Sequence, residues 1–235
     1  MKNFKNCILG INIEEKCFTY LKSELESNFS FDLVEDLFSL PCIRYETQHK
    51  LSLVFALLED KKANDTIVNW LSQLLADIPK QLWIDCNQRL KSYIEINYNL
   101  LSRSQLLLLA NTLEVMNAKG YDSAFELAGL LYQRIPFNEY EFNPDSEENL
   151  RIKLSKLAYN TSGYNIIENL EAIKSIKQRL KLTKRKYLYP MLYYYKGICL
   201  EAANYKIEYK DSIYYILKAQ NMQYKLASLY LKHRA

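Results

Sequence analysis

Apolar side chains recur along this chain at spacings of three and four, from its first stretch to its last. Ile13, Cys17, Phe18, Leu21 and Leu25 fall on one stripe, because 3.6 residues per turn brings such positions onto one helix face. Asn12 with Glu15 offers box-like capping for that helix, and Ser30 can cap a second that must stop near Pro41. Leu51, Val54, Phe55 and Leu58 form a third stripe, closed by the charged run Glu59 to Lys62. A fourth starts at Asp65 and carries Ile67, Leu71, Leu74, Leu75 and Ile78 before Pro79. Leu82, Cys86, Leu90, Tyr93, Ile94 and Tyr98 make the fifth.

The stripe Leu106, Leu109, Leu113 and Met116 comes with both of its ends. Ser102 and Gln105 have the spacing of a capping box, and Gly120 sits where a helix takes its C-terminal glycine. Asp122 is then expected to cap a following helix with Phe125, Ala128, Leu131, Tyr132 and Ile135 on one face. So short a turn forces the two helices antiparallel, as an αα-hairpin.

Pro136 to Pro144 is polar and acidic and breaks the pattern, as a linker or a long loop does. Asp145 with Glu148 opens a helix through Leu150, Leu154 and Leu157, and Ile166, Leu170, Ile173 and Leu180 resume after Thr161 to Gly163. Helical sequence then runs from Thr183 to Ala203 and from Asp211 to the end, with Pro190 marking a first-turn position or a kink. The expectation is an all-α chain of about ten to twelve helices of ordinary length. They form an irregular bundle or a stacked αα-hairpin array. An N-terminal helical region over 1–135 and a C-terminal one over 145–235 make one continuous helical domain.

Composition narrows this further. Only 5 glycines and 5 prolines occur in 235 residues, too few for the tight positive-φ turns that sandwiches and barrels consume. No segment has the length or apolarity of a membrane span, and no secretory signal pattern stands at the start. The five cysteines, Cys7, Cys17, Cys42, Cys86 and Cys199, are odd in number and scattered. That pattern points to small buried thiols in a reducing, cytoplasmic setting.

The segment Leu192 to Ala219 resembles a tetratricopeptide-like repeat. Tyr193-Tyr194-Tyr195-Lys196-Gly197 carries the aromatic and small residues of a first helix, and Ser212, Ile216 and Ala219 the small–large–small rhythm of a second. In such a repeat Gly197 sits where the paired helix leaves no room for a side chain. The match departs from the pattern in its spacing, 15 residues from Gly197 to Ser212 where about 12 is usual, and no proline closes the unit. The resemblance implies a helical scaffold that binds other proteins.

Parts for catalysis are missing from the pattern. His49 and His233 are the two histidines, and neither has an acid beside it in sequence. No CxxC, HxxxH or HExxH spacing suggests a metal, no glycine-rich loop suggests a phosphate, and no cofactor is expected. The carboxylates Glu24, Glu26, Asp32, Glu35 and Asp36 fall between apolar positions, as on a solvated face.

The last quarter is different. Lys181 to Ala235 carries 11 basic against 3 acidic side chains, whereas residues 1–180 carry 20 against 24. The same quarter holds 11 of the 20 tyrosines. Tyr193 to Tyr195 are consecutive, so at about 100° per residue they cannot all face one core. Some phenol surface must be exposed or covered by a neighbouring helix.

The expected partner-binding residues are therefore Lys184, Arg185, Lys186, Tyr193, Tyr194, Tyr195, Tyr214 and Tyr215. The functional expectation is a non-catalytic protein-binding module, such as a bacterial immunity protein that neutralises a toxin by stoichiometric binding, or a scaffold or chaperone. A nucleic-acid-binding role for the basic, tyrosine-rich region is the competing expectation, and ordinary core-edge packing of the tyrosines is the structural one.

Overall fold

A computed structural model describes residues 46–59, 65–136, 146–160, 166–202 and 209–234. The helices expected over Ile13 to Leu25 and Ser30 to Pro41, and the carboxylates Glu24 to Asp36, lie outside the described residues. Within them the protein is all-helical, with ten α-helices: α1 (Glu46–Glu59), α2 (Asp65–Ala76), α3 (Lys80–Asn97), α4 (Arg103–Ala118), α5 (Ala124–Arg134), α6 (Glu147–Ala158), α7 (Ile166–Leu182), α8 (Tyr189–Ala202), α9 (Tyr209–Asn221) and α10 (Lys225–Arg234). Short 3₁₀ turns follow α3 and precede α8.

The chain divides into two compact units, Met1–Lys62 and Ala63–Ala235. The boundary does not fall at Pro136 to Pro144. That stretch lies inside the second unit, where α5 and α6 pack against each other on either side of it. In the first unit, α1 buries the expected stripe Leu51, Val54, Phe55 and Leu58.

In the second unit two helices act as hubs. α4 packs against α2, α5 and α10, and α8 packs against α6, α7 and α9. The α4–α5 hairpin forms as its sequence expects. Ser102 accepts from the Gln105 amide while the Gln105 side chain accepts from Ser102 N, and Leu106, Leu109, Leu113 and Met116 are buried. One expectation fails at the turn: Asp122 does not cap α5. Ser123 takes the N-cap position at φ 62° with no side-chain cap, and Asp122 instead offers its carbonyl to the Trp83 indole at 2.6 Å. Likewise Ser146, not Asp145, caps α6, accepting from Asn149 N at 3.1 Å.

Three helices of this unit close with the same paired bonds of a Schellman motif. After α4, Gly120 N reaches Asn117 O and Tyr121 N reaches Met116 O. After α7, Lys184 N reaches Lys181 O and Arg185 N reaches Leu180 O. After α9, Gln223 N reaches Gln220 O and Tyr224 N reaches Ala219 O. The left-handed residue is glycine only in the first (φ 77°); Lys184 (φ 57°) and Gln223 (φ 63°) fill it in the others. A non-glycine residue there costs about 1–2 kcal/mol. The stops at Lys184 and Gln223 therefore carry no glycine signal; the helical stretch expected from Thr183 starts only at Lys186, and the one expected from Asp211 to the end is broken at Gln223. Pro190 falls in the first turn of α8, where its missing N–H is harmless.

α8 and α9 approach each other closely at Gly197. A Cβ at Gly197 would lie 2.5 Å from Ile216 Cγ1 and 3.0 Å from the Ser212 carbonyl. The absent side chain lets the helices close, and Ser212 Oγ donates to Gly197 O at 3.0 Å. Ser212, Ile216 and Ala219 are all fully buried at this seam. Cys86 and Cys199 are buried, and burial pushes the Cys86 thiol up to about 12.

Candidate functional site

The eight residues singled out by sequence separate into three places. Tyr194 and Tyr195 are fully buried and Tyr193 nearly so, which removes Tyr194 and Tyr195 from any docking surface. Burying three consecutive side chains requires neighbours on about 200° of a helix. α6, α7 and α9 supply them around α8. Lys184, Arg185 and Lys186 sit in the turn between α7 and α8, with Lys184 and Lys186 exposed. Tyr214 and Tyr215 belong to α9; Tyr214 is 56% exposed and Tyr215 partly so.

Around Tyr194 and Tyr195 lies a buried polar cluster that sequence reasoning missed. Glu114 of α4 is wholly buried, and its Oε2 accepts from Arg151 Nη2 of α6 at 2.9 Å. Arg151 Nε donates to the Tyr195 hydroxyl at 3.2 Å. The Tyr132 hydroxyl lies 3.0 Å from Glu114 Oε2 and 2.9 Å from Asn111 Oδ1. One phenol proton serves one acceptor at a time, and the carboxylate is the stronger. With the Asn111 amide turned over, its N–H₂ can supply the other bond.

Four helices, α4, α5, α6 and α8, thus meet at one ion pair. Burial raises the Tyr132, Tyr159, Tyr194 and Tyr195 phenols well above their ordinary value, and the Glu114 charge raises them further. For Arg151, burial favours the neutral form, but Tyr195, Glu114 and Tyr132 outweigh it and raise its pKa. The signal that could have found this cluster is faint. Glu114 stands between Leu113 and Val115 in α4, one acid next to a core stripe.

The second region is built on α7, α8 and α9. Tyr193 stacks on Tyr215 with ring centroids 6.0 Å apart and planes 21° from parallel, and Tyr189 meets Tyr193 edge-on. Lysines close over these rings. Lys218 lies 4.5 Å and Lys177 5.4 Å from the Tyr193 centroid, and Lys196 lies 4.0 Å from that of Tyr215. Lys196 also donates to the Tyr215 hydroxyl at 2.8 Å. Among the described residues none of these three lysines is in an ion pair. Between Ala172 and Leu200 every charged side chain in the sequence is basic. Beside the lysines, α9 exposes Tyr214 and, one turn on, Leu217 at 42%. Sequence reasoning found the tyrosines and the charge excess but missed Lys177, Lys196, Lys218 and Leu217, because only the packing of α7 and α9 on α8 gathers them.

A cleft of ≈ 410 Å³ opens among α3, α5, α6, α7 and α8, with Phe125, Leu130 and Cys199 in its apolar lining and Lys91, Glu95 and Glu126 among its charged groups. None of the Glu114 cluster lines it. His233 is exposed at the end of α10. Among the described residues no helix is long and apolar enough to cross a membrane. No family model, curated protein or solved structure matches this chain.

Proposed function

We propose that this chain is a non-catalytic, helical protein-binding module that presents the α9 face to a protein partner. The observation that carries this reading is the coexistence, on well-packed helices, of exposed Tyr214 and Leu217 with Lys177, Lys196 and Lys218, none of them in an ion pair among the described residues. Adjacent exposed apolar side chains, here an aromatic beside an aliphatic and next to positive charge, are the kind of surface that gains from being covered by a partner. Tyrosine is the residue type that interface centres favour. The rings that hold the lysines are fixed by packing, so the surface is preformed and little ordering entropy opposes binding. A stoichiometric neutraliser, as an immunity protein is, fits this reading, and so does a scaffold or chaperone. Buried, widely separated cysteines such as Cys86 and Cys199 suit action in the cytoplasm.

The test is affinity capture from the cells that natively express the chain, followed by calorimetry with the purified partner. A protein retained at a fixed stoichiometry supports the reading. Retention of nucleic acid alone, sensitive to nuclease and to salt, overturns it in favour of a nucleic-acid role.

A further inference from the structure

We propose that the seat on α9 takes an acidic peptide segment of the partner, one that pairs its carboxylates with Lys177, Lys196 and Lys218 and lays an apolar side chain against Tyr214 and Leu217. This rests on the protein-binding reading above and specifies the chemistry of its partner. Lys177 and Lys218 sit over the same Tyr193 ring, so their ammonium groups are within 10 Å of one another. Carboxylates on alternate residues of an extended peptide are about 7 Å apart, a spacing that such a pair accepts. Lys218 also lies 5.8 Å from the Tyr214 centroid, which places a positive charge directly beside the exposed ring. Tyr214 and Leu217, three residues apart on one helix, are neighbours on its surface. The apolar anchor and the positive charge are therefore adjacent.

The same geometry disfavours nucleic acid as the occupant. Base stacking needs free ring faces. Tyr193 and Tyr215 stack on one another, and lysines crowd both rings. Leu217 adds an aliphatic contact that a phosphate backbone leaves unmatched. An acidic segment with Leu or Phe between its carboxylates satisfies every group in turn.

The test uses the full chain and fluorescence anisotropy at low and moderate salt. One labelled peptide alternates glutamate with leucine and phenylalanine; its comparators are polyglutamate and a single-stranded oligonucleotide, each of equal charge. The alternating peptide is expected to bind more tightly than either comparator. Tyr214→Ala, Leu217→Ser and the double reversal Lys177→Glu with Lys218→Glu should each weaken it by about tenfold or more. Lys91→Glu on α3 should leave it unchanged. Circular dichroism melts establish that each variant is folded, and Tyr214→Ala and Leu217→Ser, both at exposed positions, keep the test open if the charge reversal unfolds. No binding of the alternating peptide overturns the proposal, and so does equal binding of all three probes with no loss in Tyr214→Ala and Leu217→Ser. If a captured protein partner stays bound to all these variants, α9 is not its docking face, and only the broader reading of a protein-binding module stands. If no protein is captured, that broader reading fails whatever the peptides do.

Discussion

Tyr194 and Tyr214 are the same residue type on two helices that pack against each other, and their surroundings are opposite. Tyr194 is fully buried near the Glu114 carboxylate, and Tyr214 is more than half exposed beside Lys218. In the first region the phenols surround a buried acid paired with one arginine, and ring and hydroxyl alike belong to the core. In the second the rings are a platform for ammonium groups whose charge stays at the surface. Tyrosine density alone therefore does not mark a binding surface. The charge sharing the cluster, and whether a helix covers it, decide what the rings do.

Four measurements test this contrast, and the largest effect belongs to the buried side. Arg151→Ala leaves Glu114 buried with its charge unpaired, and should lower unfolding free energy in urea by about 3 kcal/mol. Adding Glu114→Leu to an Arg151→Met variant should restore much of that loss, because an apolar pair needs no desolvated charge. Tyr214→Ala, in the same assay, should change stability by less than about 0.5 kcal/mol. Equal losses at Arg151 and Tyr214 would erase the distinction between core and surface clusters.

Gly197→Ala comes next. The added methyl meets Ile216 and the Ser212 carbonyl, so α9 must move off α8. A loss of about 1–3 kcal/mol is expected. Because Tyr193 and Tyr215 stack across this same helix pair, peptide binding at α9 should weaken with it. Unchanged binding in a destabilised Gly197→Ala protein would show that the platform does not depend on the seam.

The pH dependence tests the phenols directly. Tyr132, Tyr159, Tyr194 and Tyr195 hold their protons above the ordinary tyrosine value because of burial and then the Glu114 charge. Their folded pKa values exceed their unfolded ones, so this contribution is whole below about pH 10 and is lost as pH rises beyond it. Ultraviolet titration should show these phenols ionising only as helical circular dichroism is lost. Full tyrosine ionisation with the helices intact would place these rings in water.

The smallest effect concerns the stop after α9. Gln223→Gly relieves the left-handed strain but adds freedom to the unfolded chain, for a net gain of about 0.5 kcal/mol. A small rise in melting temperature, with peptide binding at α9 unchanged, is the expected result. A loss of stability would mean that the Gln223 side chain does more than occupy the turn.

Much of the fold was legible where local chemistry repeats. Ser102 with Gln105, the stripe to Met116 and Gly120 are each written in short range, and each forms as read. The ends at Lys184 and Gln223 were not legible, because their closing bonds are made by backbone atoms and neither residue is a usual left-handed former. The boundary at Lys62 was missed for a related reason. Pro136 to Pro144 has the composition of a linker, but α5 packs on α6 across it, and composition does not report packing. Of the eight expected site residues, Tyr214 and Tyr215 reach the surface cluster and Tyr193 forms its floor, while Tyr194 and Tyr195 turn to the core.

By itself, then, the sequence determined that this chain is helical, that one hairpin ends in a glycine, and that its last quarter is basic and rich in tyrosine. Helical periodicity, caps and charge are local properties, set by residues within a few positions of each other. Only the tertiary structure decided which tyrosines face Glu114 and which face lysine. That choice depends on α6, α7 and α9 closing around α8, and the contacts that close them join residues far apart in the chain.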